Sequence, residues 1–479
     1  EPLTVDFLRA NPYLVVDTAL FEKSTVIQKT VIPHSMHNPP EQNKSTVIAG
    51  LTRNPPARSE NEEIAAQGRN DTNIFKEQLL ALIPDLDAQC DGVLIHSENF
   101  QALGLMQEKY REQVKCVYID PPYNTGSDGF AYKDSYQRSS WLSMMNDRVT
   151  YAYPLLKENS ALYCQISDVE NTNLTKLLNS KFGDENHRET ITVVTSTKSG
   201  VNAVNVKRGE RLFKIKEYVL FYSKNSQFRF NSFYTPDNFN SNYRWEIKPT
   251  ENGYTVSDLR ESYANEKLEQ YALANSEHIY SVEKNNKKAG EAMKLALEKN
   301  KGLNQVDVFI DSFGGKKLLY DGGVCVPLSE RVVEENGKKY FGVLGSDIWD
   351  DIGQASNSEG GLTFDNGKKP EKLIKRIIDM TIQKNDNLIL DFFAGSGTTP
   401  AVAHKLKAKW IGVEQGIYFR DVTLTRLKNV LSGERSGVSE TASFFGGGLF
   451  KYLRLESYED TLNNLVLRTD VDRDHALTL

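Results

Sequence analysis

The sequence has few cysteines and no long apolar run. Only four cysteines occur in 479 residues, at Cys90, Cys116, Cys164 and Cys325, and no two of them are close in the chain. This scattering predicts buried free thiols in a reducing compartment and excludes a disulfide framework. The seven histidines form no metal-ligand spacing, so we expect no metal centre. No stretch approaches the ~20 apolar residues of a transmembrane helix.

The chain also lacks an excess of positive charge. It carries 58 Lys and Arg against 64 Asp and Glu, a formal net charge of −6. A nucleic-acid-binding protein neutralises phosphates with basic residues, so such a function requires these residues to be gathered on one surface. The N-terminus does not have the apolar core of a secretion signal, and we expect a cytoplasmic protein. The length predicts two or three domains.

The central motif is Asp-Pro-Pro-Tyr at residues 120–123, which follows an apolar run at residues 114–119. This run predicts a buried strand, so the motif begins where a strand ends, and ligands of open α/β sheets bind at that edge. Two prolines stiffen the turn and leave its carbonyl oxygens free to accept hydrogen bonds. Asp120 and Tyr123 therefore suit a planar ligand with an amino group, such as a base. A turn that merely ends the strand explains this motif alone equally well.

A second motif joins a short strand to a glycine turn. Residues 388–391 predict a strand, and the next nine residues read Phe-Phe-Ala-Gly-Ser-Gly-Thr-Thr-Pro before a helical stretch. Gly395 and Gly397 permit a tight turn and a close approach of the backbone to a ligand. The following strand ends at Glu414, near the ~20-residue spacing at which an acidic side chain binds ribose hydroxyls. Together these features predict a nucleoside-cofactor site, for which nicotinamide or flavin is the usual alternative.

The order of the two motifs resembles that of the β group of DNA amino-methyltransferases. Wider matches at residues 118–126, 140–145, 349–352, 369–374 and 450–460 resemble the modification subunit of Type III restriction-modification systems. The resemblance implies a Rossmann-like α/β methyltransferase sheet that binds S-adenosyl-L-methionine, with an inserted target-recognition domain. In that group the acidic form of the first motif implies methylation of adenine N6 rather than cytosine N4.

The motif chemistry and the resemblance together assign the site residues. The side chain of Asp120 and the carbonyl of Pro121 would accept the hydrogens of the amino group while Tyr123 stacks on a flipped base. No metal is needed, because the methyl group of the cofactor is already activated. The expected catalytic residues are Asp120, Pro121, Pro122 and Tyr123, and the expected cofactor-binding residues are Lys369, Pro370, Asp391, Phe393, Ala394, Gly395, Ser396, Gly397, Thr398 and Glu414.

A basic stretch is the candidate contact with the phosphate backbone. It contains Lys198, Lys207, Arg208, Arg211 and Lys214 among glycine and asparagine. A solvated charged loop is the plainer interpretation of such a stretch. Its place in the chain, after a base-binding turn, favours contacts with phosphates.

The chain order predicts five segments. A polar, proline-containing stretch at about residues 23–73 is interpreted as a flexible insert rather than a core element. An aromatic- and asparagine-rich stretch between the two motifs is interpreted as the target-recognition region. The segments are residues 1–74 with the insert, 75–224 as the first catalytic half, 225–345 for target recognition, 346–432 as the cofactor-binding half, and 433–479 as a C-terminal segment shorter than in the resembling family.

The predicted function is methylation of adenine N6 in DNA by the modification and recognition subunit of a Type III-like system. The resemblance implies double-stranded DNA with a flipped adenine and a restriction helicase-nuclease subunit as partners, and a homodimer. One alternative is a stand-alone amino-methyltransferase that acts on adenine N6 or cytosine N4. The other is a DNA-recognition subunit with impaired catalysis.

Overall fold

The computed structural model divides the chain into two compact units, Glu1–Asn231 with Asp347–Leu479 and Ser232–Ser346. Within the described residues, no helix is long and apolar enough to cross a membrane. The role of residues 225–345 in target recognition stays a prediction. The structure describes residues 16–17, 47–51, 85–126, 133–196, 210, 212–284, 287, 289–312, 314–335, 337–356, 358–364, 367–382 and 387–456.

Strands and helices alternate in the larger unit, whereas the smaller unit is mostly β. The strands are β1 Val16–Asp17, β2 Val47–Leu51, β3 Gly92–His96, β4 Val114–Ile119, β5 Leu156–Ile166, β6 His187–Val194, β7 Lys216–Ser223, β8 Tyr234–Pro236, β9 Trp245–Thr250, β10 Gly253–Asp258, β11 Ile279–Glu283, β12 Asp307–Ile310, β13 Lys316–Tyr320, β14 Gly323–Pro327, β15 Val332–Glu335, β16 Lys338–Leu344, β17 Ile348–Trp349, β18 Leu388–Asp391, β19 Lys409–Glu414 and β20 Phe450–Arg454. The helices are α1 Leu86–Gln89, α2 Asn99–Met106, α3 Arg138–Ala152, α4 Asn171–Phe182, α5 Asn265–Ala274, α6 Glu291–Asn300, α7 Glu371–Thr381, α8 Thr398–Lys405 and α9 Thr425–Leu431.

The larger unit is built on an 11-stranded sheet in the order β1-β2-β20-β3-β19-β18-β4-β5-β7-β6-β17. Its pairs are parallel except at β7, which runs antiparallel to both β5 and β6. Helix α3 connects β4 to β5 and helix α8 connects β18 to β19, as in right-handed crossover units of parallel sheets. The predicted Rossmann-like α/β fold class is confirmed.

The core of this unit lies on the faces of the central strands. All six residues of β4 are buried, as expected for a parallel strand that is covered on both faces. Helix α3 buries Trp141, Met145, Val149 and Ala152, whose helical spacing forms one apolar face. The four cysteines are buried and unpaired, as the sequence predicts.

Part of the segment interpreted as a flexible insert belongs to the sheet. Val47–Leu51 forms β2, which pairs in parallel with β20. Its Val-Ile-Ala-Gly-Leu sequence is apolar and begins with two β-branched residues, which favour a strand. These five residues thus form a strand of the sheet, and the interpretation of residues 23–73 as an insert stays a prediction. The rest of that stretch lies outside the described residues.

The smaller unit contains a six-stranded sheet in the order β10-β9-β11-β14-β13-β12 and a three-stranded sheet in the order β15-β16-β8. Every pair in the two sheets is antiparallel. Aromatic residues fill one of its cores, in which Tyr243 and Phe341 pack with Leu268 and Ile279. This unit is a β-rich body with the two helices α5 and α6.

Candidate active site

The two sequence motifs meet at one edge of the sheet, although more than 260 residues separate them. Strand β18 pairs with β4 in parallel, with Leu390 opposite Val117. Parallel strands end at the same edge, so Asp120 and Asp391 both leave the sheet there. A cavity of about 330 Å³ opens at this edge. Its lining includes Asp120, Pro122, Phe392, Phe393, Gly395, Glu414 and Tyr418.

The loop after β4 is held in place by hydrogen bonds from outside the motif. The indole Nε1 of Trp141 donates to the carbonyl oxygen of Pro122 at 2.8 Å. The backbone N–H of Asn124 donates to Asp134 Oδ1 at 2.8 Å, and Asn124 Oδ1 accepts from the N–H of Tyr136 at 2.7 Å. Asn124 has φ of 57°, a left-handed conformation that asparagine tolerates better than most residues. The loop therefore presents Asp120 and Tyr123 from a rigid support.

The ring of Tyr123 is fixed through its hydroxyl group. This hydroxyl donates to Glu217 Oε2 at 2.7 Å, and the amide of Gln165 donates to the same oxygen. Gln165 in turn accepts from the hydroxyl of Tyr118 at 2.5 Å. Burial, together with the carboxylates of Asp120 and Glu217, raises the pKa of Tyr123 well above its ordinary value. The phenol is therefore neutral, and Lys369 Nζ lies 4.9 Å from the centroid of its ring.

Asp120 faces a lysine from the other half of the unit. Its Oδ2 lies 3.0 Å from Lys369 Nζ, which lies 3.6 Å from Glu217 Oε2. Burial raises the pKa of Asp120, and the Lys369 ammonium opposes this rise. Burial alone would lower the pKa of Lys369, but the Asp120 and Glu217 carboxylates hold it above its ordinary value. Asp120 Oδ1 is buried and has no hydrogen-bond partner in the described part of the chain.

Of the two residues next to Asp120, the sequence predicted Lys369 as a site residue but not Glu217. Lys369 is one of the predicted cofactor-binding residues, and in the structure its ammonium lies 3.0 Å from Asp120 Oδ2. Glu217 was missed, because it lies on β7 with no motif around it. Its one signal is an acidic residue at the start of an apolar strand.

The carboxylate of Glu414 ties the glycine loop to the end of β19. Its Oε2 accepts from the N–H of Gly395 at 2.7 Å, and its Oε1 accepts from the N–H groups of Gln415 and Gly416 at 2.9 and 2.6 Å. The hydroxyl of Tyr418 adds a fourth hydrogen bond, so the roughly four acceptor positions of this carboxylate are occupied, and a ligand hydroxyl would have to replace one of these donors. Burial raises the pKa of Glu414, and these backbone hydrogen bonds oppose the rise.

Asp391 is almost fully buried behind the same loop. Its Oδ1 accepts from the N–H of Phe393 at 2.9 Å. Burial raises the pKa of Asp391 to about 7, although hydrogen bonds from Thr399 and Phe393 act in the opposite direction and the charges of Asp120 and Glu414 add to the rise. This carboxyl group therefore titrates near neutral pH.

The glycine loop needs its two glycines for different reasons. Gly395 has φ of +53° and Gly397 has φ of +80°, both in the left-handed region. A Cβ at Gly395 would meet only the Phe393 carbonyl at 3.9 Å, so this glycine provides the backbone conformation and an open approach. A Cβ at Gly397 would lie 3.2 Å from the side chain of Thr423, so this glycine also allows close packing.

A fully buried group of charges supports the loop from behind. Glu371, Lys405 and Arg426 have no exposed side-chain surface. Glu371 accepts from Lys405 Nζ at 2.8 Å and from Arg426 Nη2 at 2.8 Å. Arg426 Nη1 donates to the hydroxyl of Thr398 at 2.8 Å, and Ser396 Oγ lies 3.2 Å from the same hydroxyl. The glycine loop is thus anchored to α7, α8 and α9.

Of the five basic residues predicted to contact phosphates, the structure describes only Lys214. Lys214 is exposed, and its ammonium lies 2.9 Å from Asp168 Oδ2. Lys198, Lys207, Arg208 and Arg211 lie outside the described residues, so the basic surface stays a prediction. Among the residues that the structure describes, no group of three or more His, Cys, Asp or Glu could hold a metal ion.

The structure brings five of the predicted residues, from both motifs, to one cavity. Asp120, Pro122, Phe393, Gly395 and Glu414 line it directly. Tyr123 and Lys369 adjoin it through Asp120, while Pro370 is the residue before α7. Ser396 and Thr398 point back to the buried charges. The roles of these residues stay predictions.

A mostly parallel α/β sheet with an acidic proline loop and a glycine loop on neighbouring strands defines the class of Rossmann-like methyltransferases. A profile of the N6/N4 methyltransferase family, described as DNA methylase, matches residues 114–424. The chain belongs to this family of DNA methylases, and the resemblance inferred from its motifs is confirmed.

Individual relatives agree with the family. The chain is 30% identical over 441 residues to the probable Type III restriction-modification enzyme HindVI Mod subunit of Haemophilus influenzae, covering 81% of this chain and 57% of that protein. It is 26% identical over 382 residues to the StyLTI Mod subunit of Salmonella typhimurium, covering 70% of this chain and 53% of that protein. The chain thus spans about half the length of these relatives. A structure of TTHA0409 from Thermus thermophilus, titled a putative DNA modification methylase complexed with S-adenosyl-L-methionine, matches with 14% identity, 77% of this chain, 100% of that chain and a TM-score of 0.37.

Proposed function

We propose that the chain transfers a methyl group from S-adenosyl-L-methionine to the N6 amino group of adenine in DNA. In this proposal it is the modification and sequence-recognition subunit of a Type III-like restriction-modification system. The carrying observation is the pair Asp120 and Tyr123, an acceptor beside a fixed ring at the cavity that extends to Glu414. The names of the HindVI and StyLTI relatives support the Type III assignment.

The loop after β4 supplies what an aromatic amine needs in order to react. The amino lone pair of adenine is delocalised into the ring, which makes it a weak nucleophile. Asp120 and the carbonyl of Pro121 accept its two hydrogens and favour a pyramidal nitrogen, while Tyr123 stacks on the base. In the structure Oδ2 of Asp120 pairs with Lys369, and the buried Oδ1 has no partner among the described residues. The arrangement requires the adenine to be flipped out of the duplex.

The residues around the glycine loop fit the cofactor. The cavity of about 330 Å³ joins Asp120 to Glu414, so one ligand could contact both. Glu414 and Tyr418 both line the cavity, so ribose hydroxyls would take the place of the Tyr418 hydroxyl at Glu414, and Gly395 leaves the backbone open on the cavity side. In this proposal Asp391, Gly395 and Gly397 hold the amino-acid portion. S-adenosyl-L-methionine would supply an already activated methyl group.

The charge of the site favours the transfer. Asp120 and Glu217 carry two negative charges and Lys369 carries one positive charge, so these three groups sum to −1. Positive charge develops on the amino nitrogen as its bond to the methyl carbon forms, and a preorganised negative site stabilises it. The nitrogen then loses a proton. Asp120, whose pKa is raised by burial, is the nearest acceptor in this scheme.

The expected partners follow from the same proposal. They are double-stranded DNA, a restriction helicase-nuclease subunit and a second copy of the chain, in the cytoplasm. A stand-alone enzyme remains an alternative, since the family covers both N6 and N4 chemistry. Co-purification of the chain with a helicase-nuclease favours the Type III assignment, and its absence favours a stand-alone enzyme.

The decisive experiment incubates the purified chain with mixed-sequence DNA and labelled S-adenosyl-L-methionine, followed by mass analysis of the nucleosides. We expect N6-methyladenine at one recurring site. Asp120→Ala should abolish the transfer and leave cofactor affinity unchanged, whereas Asp379→Ala, which removes an exposed carboxylate paired with Lys375, should have no effect on either. Labelled N4-methylcytosine would assign the alternative base. Cofactor binding without any transfer would favour a recognition subunit with impaired catalysis.

A further inference from the structure

The ammonium of Lys369 occupies the place where the acceptor and the stacking ring converge. Its Nζ lies 3.0 Å from Asp120 Oδ2 and 4.9 Å from the centroid of the Tyr123 ring. The side chain of Lys369 is only 13% exposed, so the contact is largely shielded from water. An amino group that donates to Asp120 and a base that stacks on Tyr123 would need the same space.

Glu217 offers this lysine a second acceptor. Its Oε2 lies 3.6 Å from Lys369 Nζ, so a movement of about 1 Å would bring the ammonium to the distance of a charge-assisted hydrogen bond. The same oxygen is fixed by the hydroxyl of Tyr123 and the amide of Gln165. Lys369 Nζ therefore lies near two carboxylates, and of these Glu217 is also held by Tyr123 and Gln165.

We propose that Lys369 is a resident cation of the amine subsite, and that Glu217 receives its ammonium when the amino group of the base binds Asp120. When the base binds, its amino group replaces the Lys369 ammonium as the hydrogen-bond donor to Asp120. Each carboxylate keeps a donor throughout this exchange. Lys369 and Glu217 are positioning residues in this scheme, which rests on the proposed adenine methylation. The buried charge of Asp120 is covered before the base arrives, and the lysine stays within the site afterwards.

The exchange predicts that Glu217 matters only when Lys369 is present. Without the second carboxylate the ammonium has no alternative partner, so it competes with the base for Asp120. Glu217→Gln should therefore raise the KM for DNA about tenfold with a smaller change in kcat, because a charge-assisted hydrogen bond is lost on one side of the exchange. The glutamine oxygen can still accept from Tyr123, so the ring stays in place.

The test is a double-mutant cycle on a duplex that contains the methylation site, with saturating cofactor. It compares the unaltered chain, Glu217→Gln, Lys369→Met and the double variant. In the Lys369→Met background, Glu217→Gln should change the KM by less than about twofold. Lys369→Gln is the second choice if the methionine variant does not fold. Lys372→Met is the matched control, because this lysine of α7 is half-exposed and pairs with Asp351, and Glu217→Gln should keep its full effect there.

The pH profile provides a readout that a merely structural role would not change. Without the ammonium, Asp120 should need a higher pH to ionise, so the acid limb of kcat/KM should move upward in Lys369→Met but not in Lys372→Met. If Glu217→Gln raised the KM for DNA equally in the unaltered chain and in the Lys369→Met variant, the proposed exchange would be wrong. The methylation proposal would not be affected. If the unaltered chain methylates no adenine, the proposed function fails and the exchange fails with it.

Discussion

Trp141 donates a hydrogen bond from its indole Nε1 to the carbonyl oxygen of Pro122 at 2.8 Å, and the indole is fully buried. This bond connects helix α3 to a loop whose two prolines have no N–H groups of their own to offer. At the two prolines the loop is therefore held through an acceptor, the carbonyl oxygen of Pro122. The position of Asp120 and Tyr123 therefore depends on a helix residue outside the motif.

Trp141→Phe tests this support. The ring keeps most of the packing, while the loss of the donor should cost about 1 kcal/mol of unfolding free energy. We expect kcat to fall about tenfold, because small displacements of a positioned group are costly. Cofactor affinity should change little. Denaturation and steady-state kinetics measure these effects.

Trp410→Phe is the matched control for that change. Its indole is also buried and donates to His404 Nδ1 at 3.3 Å, away from the proline loop. This variant should lose stability without a comparable loss of kcat. Equal losses of kcat in the two variants would contradict a specific role for the bond to Pro122.

Glu414→Ala should mainly weaken binding of S-adenosyl-L-methionine. The change removes the acceptor of three backbone N–H groups, at Gly395, Gln415 and Gly416, and so releases the glycine loop. We expect the dissociation constant to rise at least about tenfold, since each unpaired buried donor is costly. Calorimetric titration measures it. Glu158→Ala is the control, because Glu158 is exposed and pairs with Lys224 far from the loop, and a similar weakening there would refute the assignment.

The high pKa of Asp391 should make stability fall as pH rises. Burial raises this pKa from 3.8 to about 7, so between these values the folded chain keeps a proton that the unfolded chain releases. The stability contributed by this group is therefore present at low pH and lost as pH rises toward 7. Asp391→Asn removes the titration and retains an acceptor for the N–H of Phe393. Its melting temperature relative to the unaltered chain should rise by about 2 °C or more between pH 5 and pH 8. A difference that is constant with pH would disprove the effect.

Replacing the carboxylate of Glu371 by a neutral amide should cause a large loss of stability. Glu371→Gln leaves Lys405 and Arg426 fully buried with less opposing charge, and breaking such a pair costs about 3–5 kcal/mol of unfolding free energy. Chemical denaturation measures the loss. Lys375→Ala breaks an exposed pair with Asp379 on the same helix and should cost no more than about 0.5 kcal/mol. Comparable losses in the two variants would show that the buried group does not support the loop as argued.

The local sequence pattern was sufficient to predict the strands that carry the two motifs. The strand predicted at residues 388–391 is Leu388–Asp391, and the run at residues 114–119 is Val114–Ile119, because short apolar runs followed by proline or glycine have clear ends. Val47–Leu51 was not recognised as a strand. This strand pairs with β20, which lies about 400 residues away in the chain. The local composition of residues 47–51 does not indicate this pairing.

The sequence by itself determined the family, the α/β class and the residues of both motifs, because these depend on residue types at short spacing. Only the tertiary structure placed β4 beside β18, brought Glu217 to Tyr123 and turned Lys369 toward Asp120. It also gathered Glu371, Lys405 and Arg426 into one buried group. Such pairings join residues that are far apart in the chain, and their energies depend on distance and burial, which only the folded sheet defines.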